Sequence, residues 1–373
     1  MIYLDYSAHT PSDSRVVECF CKYENDFIGN ANSAHSLGRA ANEEMKRISE
    51  SMADLLNVDS DEIIYTSGAS ESNNLAIKGI AKSSRHIGKH IISTPLEHSS
   101  VSGCLTALQE QGYEIDLVDI KRDGTVDLEQ LSELLRKDTV MVAVCAVDSE
   151  LGTVQPIQEI SKIVKKYPKC RLHIDATQAV GKTPLSFSGV DTMSVSAHKF
   201  YGLNGSGLLI KRKGLTIEPL IHGGVSTTIY RSGTPALALD ASTECALRLA
   251  VENLDNRIST VKKYNLYLRN VLSDYKKVRI NSPQNAVPHI LNISVSGVKA
   301  KAFQTELDKK GVCVSVKSAC SVEGTPSRSV FAVSRDRNNA LSSWRISLSH
   351  LTTQREIDEF VNIFDECYRE LTK

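Results

Sequence analysis

Four short polar clusters carry side chains that could act together on one ligand. In SVSAHKFYG, Lys199 follows an alternating run, so its amine stands at the end of a predicted strand. An amine in a partly desolvated pocket has a lowered pKa and can form a Schiff base with an aldehyde. In the same stretch, Ser196 and His198 offer donors for a phosphate. Because a lysine at a strand end is often only a solvated edge charge, this cluster alone does not identify a site.

Two further clusters also follow predicted strands. TSGASESNN, residues 66–74, leads a strand through small residues into a helix, and backbone N–H groups at such a helix start can hold a phosphate. An ordinary helix cap has the same composition. PLEHSS places His98 just after the next strand, where an imidazole could transfer protons or stack on an aromatic ligand. The alternative is a hydrogen-bonded loop histidine.

The fourth cluster, HIDATQ, puts a carboxylate where an apolar strand ends. Asp175 there needs a partner, since a buried unpaired charge costs several kcal/mol. A protonated ring nitrogen would be such a partner, and Gln178 could bond an oxygen on the same ring. A structural cap for the following turn is the alternative. Together the four clusters match the parts needed to hold pyridoxal phosphate (PLP): a phosphate seat, a stacking histidine, a carboxylate and a lysine.

Composition narrows the class of protein. The 373 residues include 44 lysines plus arginines and 44 aspartates plus glutamates, so no net positive charge favours nucleic acid or an anionic membrane. We expect no signal peptide and no transmembrane segment, because the chain starts MIYLDYSAHTP and no apolar run approaches about 20 residues. The nine cysteines show neither zinc nor disulfide spacing, and Cys145 and Cys245 lie in apolar patterns typical of burial. We therefore predict a cytoplasmic protein with reduced thiols and no metal site.

The pattern of elements predicts an α/β fold. Seven short apolar runs between residues 60 and 215 alternate with helical segments, which is typical of a mainly parallel sheet flanked by helices. Ligands bind at the carboxyl ends of the strands in such sheets, where HIDATQ and SVSAHK place their polar residues. Residues 236–275 read as one long helical stretch. The rest of the chain reads as a small α+β domain, with 334–343 as a mobile loop or a short exposed helix.

At this point the chain resembles a known family. Its motifs run in order through YLDYSAHTP, GNANSAHSLG, TSGASESNN, EHSS, ELGTVQPI, HIDATQ, SAHKFYG, RSGTP, SACS and WRISLSHLTT. This series is similar to the NifS/IscS-like cysteine desulfurases, which are class V, fold-type I PLP enzymes. The resemblance implies an N-terminal segment (1–14) associated with the small domain, a large PLP-binding domain (15–255) and a small C-terminal domain (256–373). It also implies a homodimer.

The resemblance assigns a role to each matched residue. Lys199 would hold PLP and move protons, while His98 would stack on the ring and act in acid/base steps. Asp175 would pair with the ring nitrogen, and Gln178 would bond the ring hydroxyl. The remaining predicted binding residues are Ala69, Ser70, Ser196 and His198 for the phosphate, Thr234 for the partner subunit's phosphate, and Arg345, Ser149 and Asn30 for the substrate. For Arg345 the alternative is a solvated arginine at a strand end.

Cys320 decides which reaction the resemblance implies. It lies in VSVKSACSVEGTPSRS, a segment whose composition indicates an exposed loop, and the nearby Lys317 would favour its thiolate. The family has its nucleophilic cysteine here, although composition alone would permit an incidental loop cysteine. The predicted activity is conversion of L-cysteine to L-alanine, with a persulfide on Cys320 that passes to an acceptor protein. Iron–sulfur cluster assembly and tRNA thiolation are the pathways that such sulfur supplies in the family.

The chain also departs from the family pattern. Asp148-Ser149 replaces Asn-Asn, and the charge of Asp148 could repel the substrate carboxylate. Residues 226–229 differ from the usual glycine-rich segment, His9 replaces threonine and Ala31 replaces proline. Two alternatives therefore stay open. The protein could be another class V enzyme, such as a selenocysteine lyase or an aminotransferase, or a weakly active homologue that serves as a scaffold.

Overall fold

The protein is described by a computed structural model covering residues 1–317 and 324–373. The strands of the described residues are β1 (Ile2–Tyr3), β2 (Ile63–Thr66), β3 (His90–Ser93), β4 (Glu114–Leu117), β5 (Thr139–Cys145), β6 (Arg171–Asp175), β7 (Thr192–Ser196), β8 (Gly207–Lys211), β9 (Val278–Ile280), β10 (Ile290–Val295), β11 (Val312–Cys313) and β12 (Ser343–Ser347). Their helices are α1 (Ser14–Asp26), α2 (Ser36–Leu56), α3 (Ala69–Ser83), α4 (Ser99–Gln109), α5 (Leu128–Leu134), α6 (Ile157–Val164), α7 (Leu237–Glu252), α8 (Leu254–Ser273), α9 (Ala300–Lys309), α10 (Arg328–Ser334), α11 (Arg337–Leu341) and α12 (Gln354–Leu371).

The seven predicted apolar runs all form strands of one sheet. Its order is β2-β8-β7-β6-β5-β3-β4, and β8 runs opposite to the other six strands, so it pairs antiparallel with both β2 and β7. β5 is buried along its whole length, as a central strand with helices on both faces must be. The α/β prediction with a mainly parallel sheet is confirmed. β6 and β7 are parallel neighbours with Asp175 opposite Ser194, so the polar residues after both strands meet at one edge of the sheet.

The predicted helical stretch at 236–275 forms two helices rather than one. α7 ends at Glu252 and α8 begins at Leu254, with Asn253 between them outside the helical conformation (φ −105°, ψ 10°). The stretch predicted as a mobile loop or short helix at 334–343 contains α11, which Asp336 caps by accepting from two backbone N–H groups.

A second hydrophobic core joins the two ends of the chain. β1 pairs with β11, and β12-β10-β9 form a three-stranded antiparallel sheet on which α8, α9 and α12 pack. Trp344 and Phe303 stack at its centre, 5.2 Å apart, and Leu4 of the N-terminal segment is buried there. The N-terminal segment is thereby fixed beside the small sheet. The boundaries at 14/15 and 255/256 stay predictions.

Within the described ranges, no helix combines the length and apolar character that a membrane span requires.

Candidate active site

One pocket of about 380 Å³ opens at the carboxyl ends of β6 and β7. Most of the predicted site residues line it: Ala69, Ser70, His98, Ser149, Asp175, Gln178, Ser196, His198, Lys199 and Arg345. They come from segments up to 276 positions apart, and the sheet edge together with the N-terminal start of α3 brings them to one place. This is the position at which open α/β sheets bind their ligands.

Lys199 stands at the end of a single 3₁₀ turn, residues 197–199, that directly follows β7. Its Nζ donates to the backbone carbonyls of Ser7 at 2.9 Å and Ala8 at 2.6 Å, so the N-terminal segment fixes the amine. The following Tyr201 adopts φ +71°, a conformation that costs a non-glycine residue roughly 1–3 kcal/mol. The Thr10 side chain holds it there by accepting from the Tyr201 N–H at 2.8 Å. Several contacts therefore hold the turn in one conformation, and this places the Lys199 amine accurately.

Asp175 is the last residue of β6, and its buried carboxylate accepts two hydrogen bonds. Its Oδ1 accepts from the Thr177 N–H at 2.9 Å, and its Oδ2 accepts from Asn73 Nδ2 at 2.8 Å. Asn73 Oδ1 lies 3.0 Å from His173 Nε2, and burial lowers the pKa of His173 to about 4. A neutral His173 can donate this Nε2 proton to Asn73. The carboxylate is thus held from behind while it lines the pocket.

Sequence reasoning missed Asn73 and His173. Both residues lie inside motifs that predict the site, TSGASESNN and HIDATQ, but the motifs themselves assign no role to Asn73 or His173. The signal that could have found Asn73 is helical spacing. Asn73 follows Ala69 by four residues, so it lies one turn into α3 on the face that carries the pocket-lining start of the helix.

His98 is the N-cap of α4 and faces the pocket. Its Nδ1 accepts from the backbone N–H of Ser100 at 3.2 Å. Burial lowers the pKa of His98, with the positive charges of Lys199 and Arg328 adding to the effect and Asp175 opposing it. The neutral ring with Nδ1 as acceptor carries its proton on Nε2. His98 is therefore suited to proton transfer and to stacking without a permanent charge.

A phosphate-sized cradle lies at the start of α3. Ser72 N–H to Gly68 O is the first hydrogen bond of that helix, so the N–H groups of Ala69 and Ser70 have no partner within it. Gly68 adopts φ +141°, and a Cβ built on it would lie 3.3 Å from Ser196 Oγ. His198 Nδ1 lies 3.0 Å from Ser196 Oγ. The cradle therefore combines backbone donors that have no partner within α3, the positive end of a helix dipole and the hydrogen-bonded Ser196–His198 pair.

Arg345 is buried in the wall of the pocket, with 2% of its side chain exposed. Its Nη2 lies 2.9 Å from Asp5 Oδ1, and its Nη1 donates to the Ser149 carbonyl at 2.7 Å. Its Nε has no hydrogen-bond partner among the described residues. Because an unpaired buried donor is unfavourable, this guanidinium is suited to an additional carboxylate ligand. The alternative of a solvated strand-end arginine is wrong.

The concern about Asp148 is corrected by the structure. Ser149 lines the pocket, but Asp148 does not. Asp148 Oδ1 instead accepts from the backbone N–H groups of Glu150 and Leu151, and Oδ2 accepts from Ser329 Oγ at 2.9 Å. Burial, together with the negative charge of Glu150, raises the pKa of Asp148 to about 7. The side chain therefore fixes a turn behind the pocket and points away from the substrate wall.

Three predicted binding residues have other surroundings in the described chain. Gln178 lines the pocket, yet its Nε2 donates to the Ser7 carbonyl and its Oε1 accepts from Lys182, so the ring-hydroxyl bond stays a prediction. Thr234 is exposed and lines a separate cavity of about 100 Å³. Asn30 is exposed and lies outside the pocket. The partner-subunit role of Thr234 and the substrate role of Asn30 stay predictions.

Cys320 lies outside the described residues, but both flanks of its segment are fixed beside the pocket. On one side, Ser315 exchanges backbone hydrogen bonds with Arg345 and donates to Asp5 Oδ2 at 2.8 Å. On the other side, Ser327 Oγ donates to Glu150 Oε2 at 2.5 Å. Cys320 follows Ser315 by five positions, and a fully extended chain of that length spans roughly 17 Å at most. Lys317, predicted to favour the Cys320 thiolate, donates to Thr325.

Glu97 and Cys145 are a further buried pair at this pocket that the sequence did not reveal. Cys145 is buried as predicted, but it also lines the pocket, at the end of β5 beside Asp175. Glu97 accepts from the Cys145 N–H at 2.9 Å. Burial raises the pKa of Glu97 to about 8, with Asp175 and Asp148 adding to the effect. A neutral Glu97 avoids a second negative charge next to Asp175.

The described residues contain no group of three or more histidine, cysteine or acidic side chains arranged to hold a metal ion.

The chain matches the family model described as "Aminotransferase class-V" over residues 2–360. The chain belongs to that family. The fold-type I architecture predicted for it is confirmed as well.

Individual relatives narrow the group within the family. The chain is 37% identical to "Cysteine desulfurase IscS" of Dictyoglomus turgidum, over 99% of this chain and 95% of the relative. It is 37% identical to "NifS/IcsS protein homolog" of Lactobacillus delbrueckii subsp. bulgaricus, over 100% and 98%. A solved structure named "NIFS-LIKE PROTEIN" matches with a TM-score of 0.93 and 33% identity, over 99% of this chain and 100% of that one. The predicted resemblance to the NifS/IscS-like group is confirmed.

Proposed function

We propose that the protein is a PLP-dependent cysteine desulfurase that forms L-alanine and a persulfide on Cys320. The observation that carries the proposal is the pocket in which Lys199, Asp175, His98 and the Arg345 guanidinium converge. The chain belongs to a family of PLP enzymes, and its relatives named above include cysteine desulfurases. When bound, PLP supplies an electron sink for negative charge at the amino acid Cα.

The residues present fit this cofactor. Unpaired N–H groups at the start of α3, with Ser196 and His198, would hold the phosphate. Asp175, held by Asn73, would pair with the ring nitrogen and keep it protonated. His98 lies on the pocket wall and would stack on the ring. The Lys199 amine, oriented by two backbone carbonyls, would hold the aldehyde.

The substrate side of the pocket suits an α-amino acid. Arg345 would bind the substrate carboxylate through a guanidinium whose Nε has no hydrogen-bond partner in the ranges 1–317 and 324–373. The Ser149 carbonyl fixes the opposite edge of that guanidinium. Lys199 would remove the Cα proton and return a proton to the product, while His98, neutral at pH 7 and carrying its proton on Nε2, would serve the other proton transfers.

The sulfur step balances without a further reagent. The Cys320 thiolate attacks the sulfur of L-cysteine, the Cβ–S bond breaks, and the Cβ electron pair takes up a proton. The products are L-alanine and a persulfide on Cys320. Ser315 and Ser327, which flank this segment in the sequence, are held by Asp5 and Glu150, and this supports the proposed role of Cys320.

Further parts of the proposal concern partners and location. We infer that the protein acts as a homodimer with Thr234 reaching the partner subunit's phosphate, and that an acceptor protein removes the persulfide sulfur. We infer a cytoplasmic location, which is supported by free thiols at every cysteine that the structure describes.

The test is the formation of alanine and sulfide from L-cysteine by the purified protein in the presence of a reductant. We expect equal amounts of both products, and we expect Cys320→Ala to lose persulfide formation and nearly all turnover. Cys21→Ala is the matched control, because Cys21 is an exposed thiol on α1 outside the pocket. Alanine formation by Cys320→Ala at the normal rate would contradict the mechanism, and a PLP-loaded protein that makes no alanine would favour the scaffold alternative.

A further inference from the structure

A second, much smaller cavity also reaches Lys199. The volume accessible to the centre of a water-sized sphere is about 10 Å³, so the cavity has room for one small molecule or ion. The N-terminal segment, the turns after β6 and β7, the start of α8 and the loops before β10 and after β12 all contribute to its wall. Five of the lining side chains are basic: Lys182, Lys199, Arg257, His289 and His350. No aspartate or glutamate is among the described residues that line it.

Arg257 is the strongest sign that this cavity has a ligand. Its side chain is 4% exposed and its Nη1 has no hydrogen-bond partner among the described residues. The guanidinium lies 4.9 Å from the centre of the Tyr201 ring, and no carboxylate of the described residues lies within 4.0 Å of it. The acid that contributes most to its electrostatics, Asp13, is engaged by Arg15 at 2.7 Å. A buried guanidinium without a counter-charge costs several kcal/mol, so a negative ligand would remove a large penalty.

His289 provides a second unpaired group at the same cavity. It is 4% exposed and its Nδ1 has no partner among the described residues. Burial, together with the positive charges of Lys182, His350 and Arg257, lowers the pKa of His289 to about 3. The neutral ring can carry its proton on Nδ1 and donate it into the cavity.

Lys182 is a further basic group in the wall of the cavity. It is buried, donates to Gln178 Oε1 at 2.5 Å, and has a pKa well below its usual value because of burial and then Lys199 and Arg345. A negative ligand in the cavity would offset the repulsion between the two lysines.

We propose that this cavity binds one monovalent anion of chloride size, with Arg257 Nη1 and His289 Nδ1 as its donors. A water molecule could satisfy both donors but would leave the guanidinium charge uncompensated. Polyatomic anions such as sulfate or phosphate are too large for a cavity with room for one water-sized particle. The cavity is distinct from the substrate pocket, although Lys199 lines both.

The anion would tie three separate parts of the chain together. Arg257 belongs to α8, His289 precedes β10, and Lys182 follows β6. Because these groups come together only in the folded protein, the anion binds the folded state and stabilises it by mass action.

The decisive experiment is a crystal of the purified protein grown in sodium bromide. We expect an anomalous bromide peak within about 3.5 Å of Arg257 Nη1 and His289 Nδ1. A cavity that contains a water molecule with no anomalous signal would overturn the proposal. This experiment needs no variant, so it remains decisive if substitutions of Arg257 prevent folding.

Thermal unfolding in solution provides the second measurement. At constant ionic strength, we expect replacement of gluconate by chloride to raise the Tm by about 2 °C or more and to saturate. Arg257→Gln should abolish this chloride dependence, whereas Arg248→Gln should retain it, since Arg248 is a half-exposed arginine on α7 paired with Glu244. Equal Tm values of the wild-type protein in the two salts would overturn the proposal even if crystals show bromide, as binding at crystal concentration only.

Discussion

Asp148 allows a quantitative prediction about stability and pH. The carboxyl is fully buried, and its pKa is about 7 in the folded protein against an ordinary value of 3.8. For an acid whose pKa is raised by folding, stability falls as pH rises, because the unfolded chain ionises first. At pH 8 both states are ionised and the folded state bears the whole penalty. The interval between the two pKa values corresponds to about 4 kcal/mol as an upper limit.

The perturbation that removes this penalty is Asp148→Asn. The asparagine carbonyl can accept from the N–H groups of Glu150 and Leu151, and its amide can donate to Ser329 Oγ, so every hydrogen bond of Asp148 has a replacement. The variant should therefore be more stable than the wild-type protein. The difference in the free energy of unfolding should grow from roughly 2 kcal/mol at pH 5 to about 4 kcal/mol at pH 8.

The assay is urea unfolding followed by circular dichroism at pH 5, 6.5 and 8, with both proteins at one concentration. Asp127→Asn is the matched control, because Asp127 also accepts from two backbone N–H groups but caps the partly exposed start of α5. This control reports what an Asp-to-Asn change does at a partly exposed helix cap. A constant difference for Asp148→Asn, or a less stable variant at pH 8, would refute the reasoning.

Three further predictions concern the pocket. Arg345→Lys should raise the KM for L-cysteine roughly 10- to 100-fold, because an ammonium lacks the planar two-pronged donor set; an unchanged KM in alanine assays would count against the carboxylate role. Gly68→Ala should weaken PLP binding about tenfold, since φ +141° and the nearby Ser196 Oγ oppose a Cβ, and absorbance titration of the apoprotein would reveal an unchanged affinity. The pKa of His98 is lowered by burial, so the acid-side fall in kcat/KM that it causes should lie below pH 6.5 and disappear in His98→Gln. A fall centred above pH 6.5 would be inconsistent with a buried His98.

Much of the pocket could be predicted because its polar residues directly follow short apolar runs that form strands. Asp175 and Lys199 each follow an apolar run, and parallel neighbouring strands necessarily bring such residues to one edge of the sheet. The backbone donors at Ala69 and Ser70 follow in the same way from a strand, a glycine and a helix in succession.

The direction in which a side chain points from a turn could not be predicted from the sequence. Asp148 and Ser149 are adjacent, yet one is held by a turn and Ser329 while the other faces the pocket. The partners of Asp175 and Arg345 were also hidden, since Asn73 lies 102 positions from Asp175 and Asp5 lies 340 positions from Arg345. Only the folded chain brings these pairs together.

The central claim is that the Lys199 amine holds the cofactor aldehyde, and peptide mapping tests it most directly. Borohydride treatment of the PLP-loaded protein should fix the cofactor irreversibly to that amine, and mass spectrometry after proteolysis should locate the modification on the peptide containing SAHKFYG. Modification of Lys182, a buried lysine that lines the small cavity together with Lys199, or a protein that carries no modification after incubation with excess PLP, would contradict the account.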